Sequence, residues 1–355
     1  MKTSLRPAAT PSPQHRSRPR RNNQHRKMPS SGQHPRRRFL GLAAGFAALP
    51  ISRVARAQTY PARPVRIIVA FAAGGPTDIA ARLIGQSLSE RLGRSVLIEN
   101  RPGGNNNIGT EAVVRAPADG YTLLMASSVN AINASLYERL GYDFIRDMAP
   151  VARIADTPLF MVVDPRIPAR SVPEFIAYAR ANPGKLILGS AGIGSPSTVA
   201  GELFKMKTGL DLPMVQYRGG APAVADLLGG HVQAMFDVIA NSIEHVRAGR
   251  LRALAIASAT RSELLPDIPI MADYVPGMEA SFWVGITAPK NTPAAIVDKL
   301  NKEINATLAD PRMKARFADL NFPVFPGSPV DFGQFIAEDT EKWRKVVKFA
   351  GLKAE

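Results

Sequence analysis

The chain has 355 residues, 45 Lys and Arg against 29 Asp and Glu, five His and no Cys; the absence of Cys excludes disulfides, thiolate metal sites and a Cys nucleophile. The formal charge of +16 sits at one end: residues 1–57 carry 13 basic residues and no acid, which leaves 32 against 29 over residues 58–355. A nucleic-acid partner needs cations concentrated on the folded body, so the near-neutral remainder excludes that class. His15, His25 and His34 lie in the leader, and only His231 and His245 remain as an imidazole base or ligand, without HxxxH spacing.

Residues 1–38 are rich in Pro, Ser, Gln and Arg and bury no core. FLGLAAGFAALPI (39–51) follows, too short to span a bilayer, and then Ala55-Arg56-Ala57, a small-x-small site. This pattern predicts a signal peptide over 1–57, cleaved after Ala57, with export to the periplasm. Pro35-Arg36-Arg37-Arg38-Phe39-Leu40-Gly41 resembles the twin-arginine signature and departs from it at Pro35 and Gly41. Met28 is an alternative start, since MPSSGQHPRRR is an n-region of ordinary length.

The remaining 298 residues exceed one core and predict two domains. Apolar runs of strand length alternate with amphipathic stretches of helix length, which reads as α/β units on parallel sheets. Strands are expected at 65–71, 95–100, 121–126, 158–164, 185–190, 212–217, 231–237, 251–257 and 282–289. Helices are expected at about 77–92, 107–114, 172–181, 197–207, 221–228, 241–248, 293–308 and 329–349. Ser171-Val-Pro-Glu174 is a capping box, and Thr292-Pro293 and Ser328-Pro329 open the last two helices.

In open α/β sheets, ligands sit beyond the carboxyl ends of strands. Four turns there are rich in small and hydroxyl residues. Phe71-Ala-Ala73-Gly74-Gly75-Pro-Thr77-Asp78 exposes backbone N–H groups at a helix start, the geometry that binds anions; a plain tight turn is an equal alternative. Ser190-Ala191-Gly192-Ile-Gly-Ser195-Pro-Ser197 lacks both nucleotide-loop and hydrolase-elbow register, and offers hydroxyls and amides suited to one carboxylate. Ser127, Ser128, Asn130 and Asn133 give the third strand end four side chains able to donate, and Tyr217-Arg218 ends another. Asp237 closes a strand with a structural role favoured, Arg218 reads equally well as a surface charge, and His231 reads as a turn residue. Trp283 is expected either to wall the cleft or to sit in the core. No catalytic set emerges and no metal or cofactor is expected.

In order along the chain, VRIIVAFAAGGPTDIAAR, ENRPGGNNNIG, DGYTLL, GSAGIGSPS, VQYRGGAPAVADLLGGHVQAMFD, AGRLRALAIASATRS and WVGITAPKNTP resemble the receptor family of tripartite tricarboxylate transporters, the Bug-type periplasmic solute-binding proteins, from about Tyr60 to the C-terminus. The resemblance implies a two-domain periplasmic binding protein of type II-like fold, each domain a mainly parallel sheet flanked by helices, with a ligand cleft between. The domains fall at 58–160 plus 284–355 and at 161–283. It also implies a carboxylate held by amides and hydroxyls of loops 71–78 and 190–198, and delivery to membrane permease subunits by a monomeric receptor. The chain departs from the family at Ala70, at Asn105-Asn106-Asn107, and at Phe282, where a small hydroxyl residue is common. A sensor subunit presenting ligand to a membrane kinase, or a periplasmic hydrolase or isomerase using Asp78, Asp237 or His231, are the rival readings.

Mass spectrometry of periplasmic protein should find Gln58 at the N-terminus. Replacing Arg36 and Arg37 together by Lys should block export; normal export of that variant would assign the general secretory route.

Overall fold

A computed structural model describes residues 60–262 and 265–354. The expected leader, its twin-arginine motif and its cleavage site lie outside the described residues. β1 (Val65–Val69), α1 (Pro76–Leu92), β2 (Val96–Asn100), α2 (Asn107–Val114) and β3 (Thr122–Ser127) come first. They pair in parallel in the spatial order β2-β1-β3. α3 (Ser128–Leu136) and α4 (Phe144–Asp147) lead into β4 (Met148–Val163), which is followed by α5 (Val172–Ala181). The next unit is β5 (Leu188–Ser190), α6 (Pro196–Thr208), β6 (Met214–Gln216), α7 (Gly220–Gly229) and β7 (Ala234–Val238). Its spatial order, β6-β5-β7, repeats the winding of the first. α8 (Ile239–Arg247), β8 (Arg252–Ile256), β9 (Ser281–Pro289), α9 (Ala294–Ala309), α10 (Pro311–Asp319) and α11 (Pro329–Ala350) complete the chain.

Among the described residues the nine strands join into one sheet, β2-β1-β3-β9-β4-β7-β5-β6, with β8 added on β4. Each half is parallel, as read from sequence, and every antiparallel pairing involves β4 or β9. Helices cover the parallel strands on both faces, so VRIIV has no polar alternation: Val65, Ile67, Ile68 and Val69 are all buried. Its residues still divide by face. Ile68 enters a core with Leu124, Phe204, Phe236, Trp283, Phe332, Ile336 and Trp343. Val65, Ile67 and Val69 enter another with Ile84, Leu88, Leu300, Ile304 and Leu308. The first core runs through both halves because α11 packs on α3 of one and α6 of the other.

Trp283 is corrected as a cleft residue. It is fully buried, its indole N–H donates to Asp339 at 2.8 Å, and Phe332 and Phe335 of α11 meet its ring edge-on at 5.6 and 5.7 Å. The strand at 158–164 begins ten residues earlier than expected, because MAPVARIADT carries Pro150, Arg153 and Asp156 and shows no apolar run. α3, α4 and α10 are likewise additions to the sequence reading. Among the described residues no helix is long and apolar enough to cross a membrane.

β9 runs between β3 and β4, and Gly285 on it faces the Phe332 ring of α11 closely. A Cβ there would lie 2.7 Å from the Ala152 carbonyl oxygen and would overlap the Phe332 ring. Gly285→Ala should therefore lower stability by about 1–3 kcal/mol in denaturant unfolding, the usual range for overpacking, whereas Gly327→Ala, whose Cβ would meet only Asp331 at 3.9 Å, should cost less than half as much.

Candidate ligand-binding site

Where strand order reverses, the loops on either side diverge and leave a crevice. The order β2-β1-β3 puts one such point between the ends of β1 and β3, and β6-β5-β7 puts another between the ends of β5 and β7. The loops at these four ends are 70–75, 127–128, 191–195 and 238. Each runs directly into a helix, so the N-termini of α1, α3, α6 and α8, with their unpaired N–H groups and positive dipole ends, face the two points. The register of the crossing strands brings the points together. Ser127 lies opposite Val284, Val284 opposite Ala155, and Val238 opposite Leu159. The two strand ends thus stand about four residues apart along β4, or about 13 Å.

In the first loop the turn is made by Gly74, at φ +88°, a left-handed conformation that suits glycine. Gly75 is the N-cap at φ −79° and has no need to be glycine; a Cβ on it would meet only the Ala72 carbonyl oxygen, at 3.9 Å. Phe71, Ala73, Gly74 and Gly75 are open or half-open to solvent, and Thr77 and Asp78 are buried. Asp78 does not cap α1. Its carboxylate accepts from the Gly74 N–H, Arg82 Nε and Asn100 Nδ2, each at 2.9 Å. Burial works against the charge, but these three donors hold the carboxyl below its usual range. Asp78 is thereby a brace of the loop.

At the end of β3 the Ser127 and Ser128 hydroxyls are fully buried; Ser127 forms a capping box with Asn130 at the start of α3, and neither O–H finds an acceptor among the described residues. Asn130 braces the turn: its Oδ1 accepts from the Ser127 N–H at 2.8 Å and its Nδ2 donates to Thr110 at 2.7 Å. Asn133 is used in the same way. It accepts from Asn105 Nδ2 at 2.9 Å and donates to Asn107 Oδ1 at 3.0 Å.

In the third loop Ser190 donates to Gln216, Ser195 caps α6 by accepting from the Thr198 N–H, and Ser197 donates to the Phe236 carbonyl at 2.6 Å. Ala191 and Gly192 are half-exposed. Gly194 presses this loop against the first half, where a Cβ would strike Asn105 and lie 2.8 Å from Leu136. Tyr217 and Arg218 follow β6, one strand outside the reversal point. Tyr217 donates to Asp226 at 2.7 Å, and Arg218 is exposed without an ion pair among the described residues. Asp237, one residue inside the end of β7, accepts from Asn241 at 2.9 Å and from Ser242.

The structure adds Thr157 to the residues read from sequence. Thr157 is buried, its hydroxyl unpartnered among the described residues, and it pairs with Phe282 across β4 and β9. Phe282 meets Phe71 edge-on at 6.4 Å and stacks on Phe322 at 5.8 Å, an aromatic wall beside the first loop. His231 is remote from this geometry: it is exposed, precedes β7, and lies 3.3 Å from Asp226.

A family model described as "Tripartite tricarboxylate transporter family receptor" matches residues 80–352. Protein BugT of Bordetella pertussis is 39% identical over 313 residues, 87% of this chain and 94% of that protein. Among solved structures, a periplasmic binding protein, BugD, shares 35% identity at a TM-score of 0.70 and covers 83% of this chain and all of its own. An R. palustris protein solved with adipate shares 36% identity at a TM-score of 0.73, covering 83% and 99%. MatC of Rhodopseudomonas palustris with bound malate shares 31% at 0.70, covering 81% and 100%.

Burial pushes the Asp237 carboxyl up to about 6, and the bonds from Ser242, Asn241 and the Val238 N–H offset this only in part. An acid whose pKa is raised on folding stabilises the fold fully below its unfolded pKa, and that contribution is lost as pH rises through the folded value. Asp237→Asn cannot ionise. Its melting temperature relative to the parent should therefore increase from about pH 4 to pH 6 and level off above, which melts across that window will measure.

Proposed function

The chain belongs to the tripartite tricarboxylate transporter receptor family, and on that footing we propose that it is a periplasmic receptor that captures a small organic carboxylate between its two reversal points and hands it to the membrane permease subunits of such a transporter. The observation that carries this reading is the arrangement of four helix N-termini around buried hydroxyls (Ser127, Ser128, Thr157) whose O–H groups find no acceptor among the described residues. Such donors suit an anion and need no cation. Charge-assisted hydrogen bonds contribute about 1.5–3 kcal/mol each, and a micromolar complex needs about 8 kcal/mol, so roughly three to six supply it. The bound adipate and malate of the two R. palustris relatives support a carboxylate as the ligand.

In this reading the carboxylate accepts from main-chain N–H groups of the first and third loops and from Ser128. Phe71 and Phe282 bound the rest of the molecule. Closure occurs between domains 58–160 plus 284–355 and 161–283, about the β4–β9 crossing. The protein acts as a monomer and performs no chemistry on its ligand.

A thermal-shift screen with malate, adipate and other small mono- and dicarboxylates selects the ligand, and calorimetry then ranks variants. Gly75→Val has room to fold and places its side chain at the N-terminus of α1, so it should abolish binding. Ser128→Ala should weaken binding by about 1–3 kcal/mol. His231→Ala should leave affinity unchanged. Wild-type affinity in folded Gly75→Val would move the ligand elsewhere, and a large loss in His231→Ala would restore the hydrolase reading.

A further inference from the structure

A cavity of about 810 Å³ opens on the β4–β9 crossing, and none of the four switch-point loops lines it. β4 residues 153–158, the segments 257–262 and 279–281, α10, the segment 323–325 and α11 enclose it. Its wall contains an ion pair that is left incomplete. Arg153 and Asp156 bond to each other, yet Arg153 Nε and Asp156 Oδ1 are buried with no partner among the described residues. A buried donor and a buried acceptor left open within one ion pair forfeit their hydration without replacement.

The surroundings do not close the gap. Phe325 and Phe335 hold the Arg153 guanidinium between their rings, at 4.2 and 3.6 Å, so its flat faces are already covered. Burial lowers its pKa to about 10, with Asp339 opposing the drop. Asp339 itself is occupied by Lys342 and by the Trp283 indole, both at 2.8 Å. Around the opening, Arg261 and Lys314 are exposed cations without ion pairs among the described residues, facing one exposed acid, Glu279. Pro158, Val324 and Phe325 supply apolar surface between them.

We propose that this cavity is a second binding site, for a small organic acid with an apolar body and a hydroxyl beside its carboxylate. The open donor requires an acceptor and the neighbouring open acceptor requires a donor, and a 2-hydroxy acid offers both on adjacent carbons. Its carboxylate accepts from Arg153 Nε and is drawn by Arg261 and Lys314, which outweigh the repulsion of Asp156. Its hydroxyl donates to Asp156 Oδ1, and its body covers Pro158 and Val324. This site is independent of the carboxylate seat at the switch points.

The test titrates phenyllactate into the mature protein carrying Gly75→Val by calorimetry, against phenylpropanoate, which lacks the hydroxyl, and phenethylamine, which lacks the carboxylate. Phenyllactate should bind with one-to-one stoichiometry, phenylpropanoate about tenfold more weakly or worse, and phenethylamine not at all. Arg261→Ser with Lys314→Ser should weaken phenyllactate by about tenfold or more, and Ala259→Trp should block it. All three positions are exposed, so these variants keep the fold that Arg153 variants would endanger; circular dichroism verifies this. Absence of phenyllactate binding, equal affinity for phenylpropanoate, or unchanged affinity in the cavity variants would overturn the proposal and leave only water on the two open atoms.

Discussion

The sixteen residues of β4 hold the molecule together by main-chain hydrogen bonds. Their first part pairs with β9, and their last part pairs with β7 and β8. Everything that meets at the site is positioned through this ladder, since β3 reaches it only through β9, and β5 and β6 only through β7. Two register shifts, at Pro150/Ala152 and Arg153/Ala155, interrupt the pairing just before the crossing. Such irregularities bend a strand and increase its twist, and here they precede the point where one half gives way to the other.

The loops themselves are rigid for a reason visible in their hydrogen bonds. Most of the polar side chains that suggest a ligand site are engaged by the scaffold: Asp78 by Gly74, Arg82 and Asn100, Asn130 by Ser127 and Thr110, and Ser197 by Phe236. What stays open are main-chain N–H groups at helix starts and three hydroxyls. Preorganised donors of this kind lose little freedom when a ligand arrives.

The strands that were legible in the sequence are those buried on both faces, such as VRIIV and TLLMA, because helices on either side demand apolar residues at nearly every position, Arg66 and Thr122 being the exceptions. The first ten residues of β4 were not, because Arg153 and Asp156 interrupt any apolar pattern and the pairing partner lies more than 120 residues away. α3 was hidden for a related reason: Ser128, Asn130 and Asn133 have poor helix propensity, and the core and α11 hold the helix in place. At the site, spacing identified the loops correctly as strand-to-helix turns but could not say which polar atoms the scaffold consumes. Trp283 illustrates the limit, since only the position of α11 turns it inward.

The repeated winding of the two halves makes the site a pair of similar jaws, each with two helix starts. A molecule gripped by one jaw alone gains half the contacts, while one reaching both converts the second grip into an intramolecular event at high effective concentration. In the proposed receptor reading the gap is fixed by strand register and not by loop chemistry, so the crossing acts as a ruler. Substitutions in the jaws alter how tightly an end is held; only insertion or deletion in β4 would alter which lengths are measured.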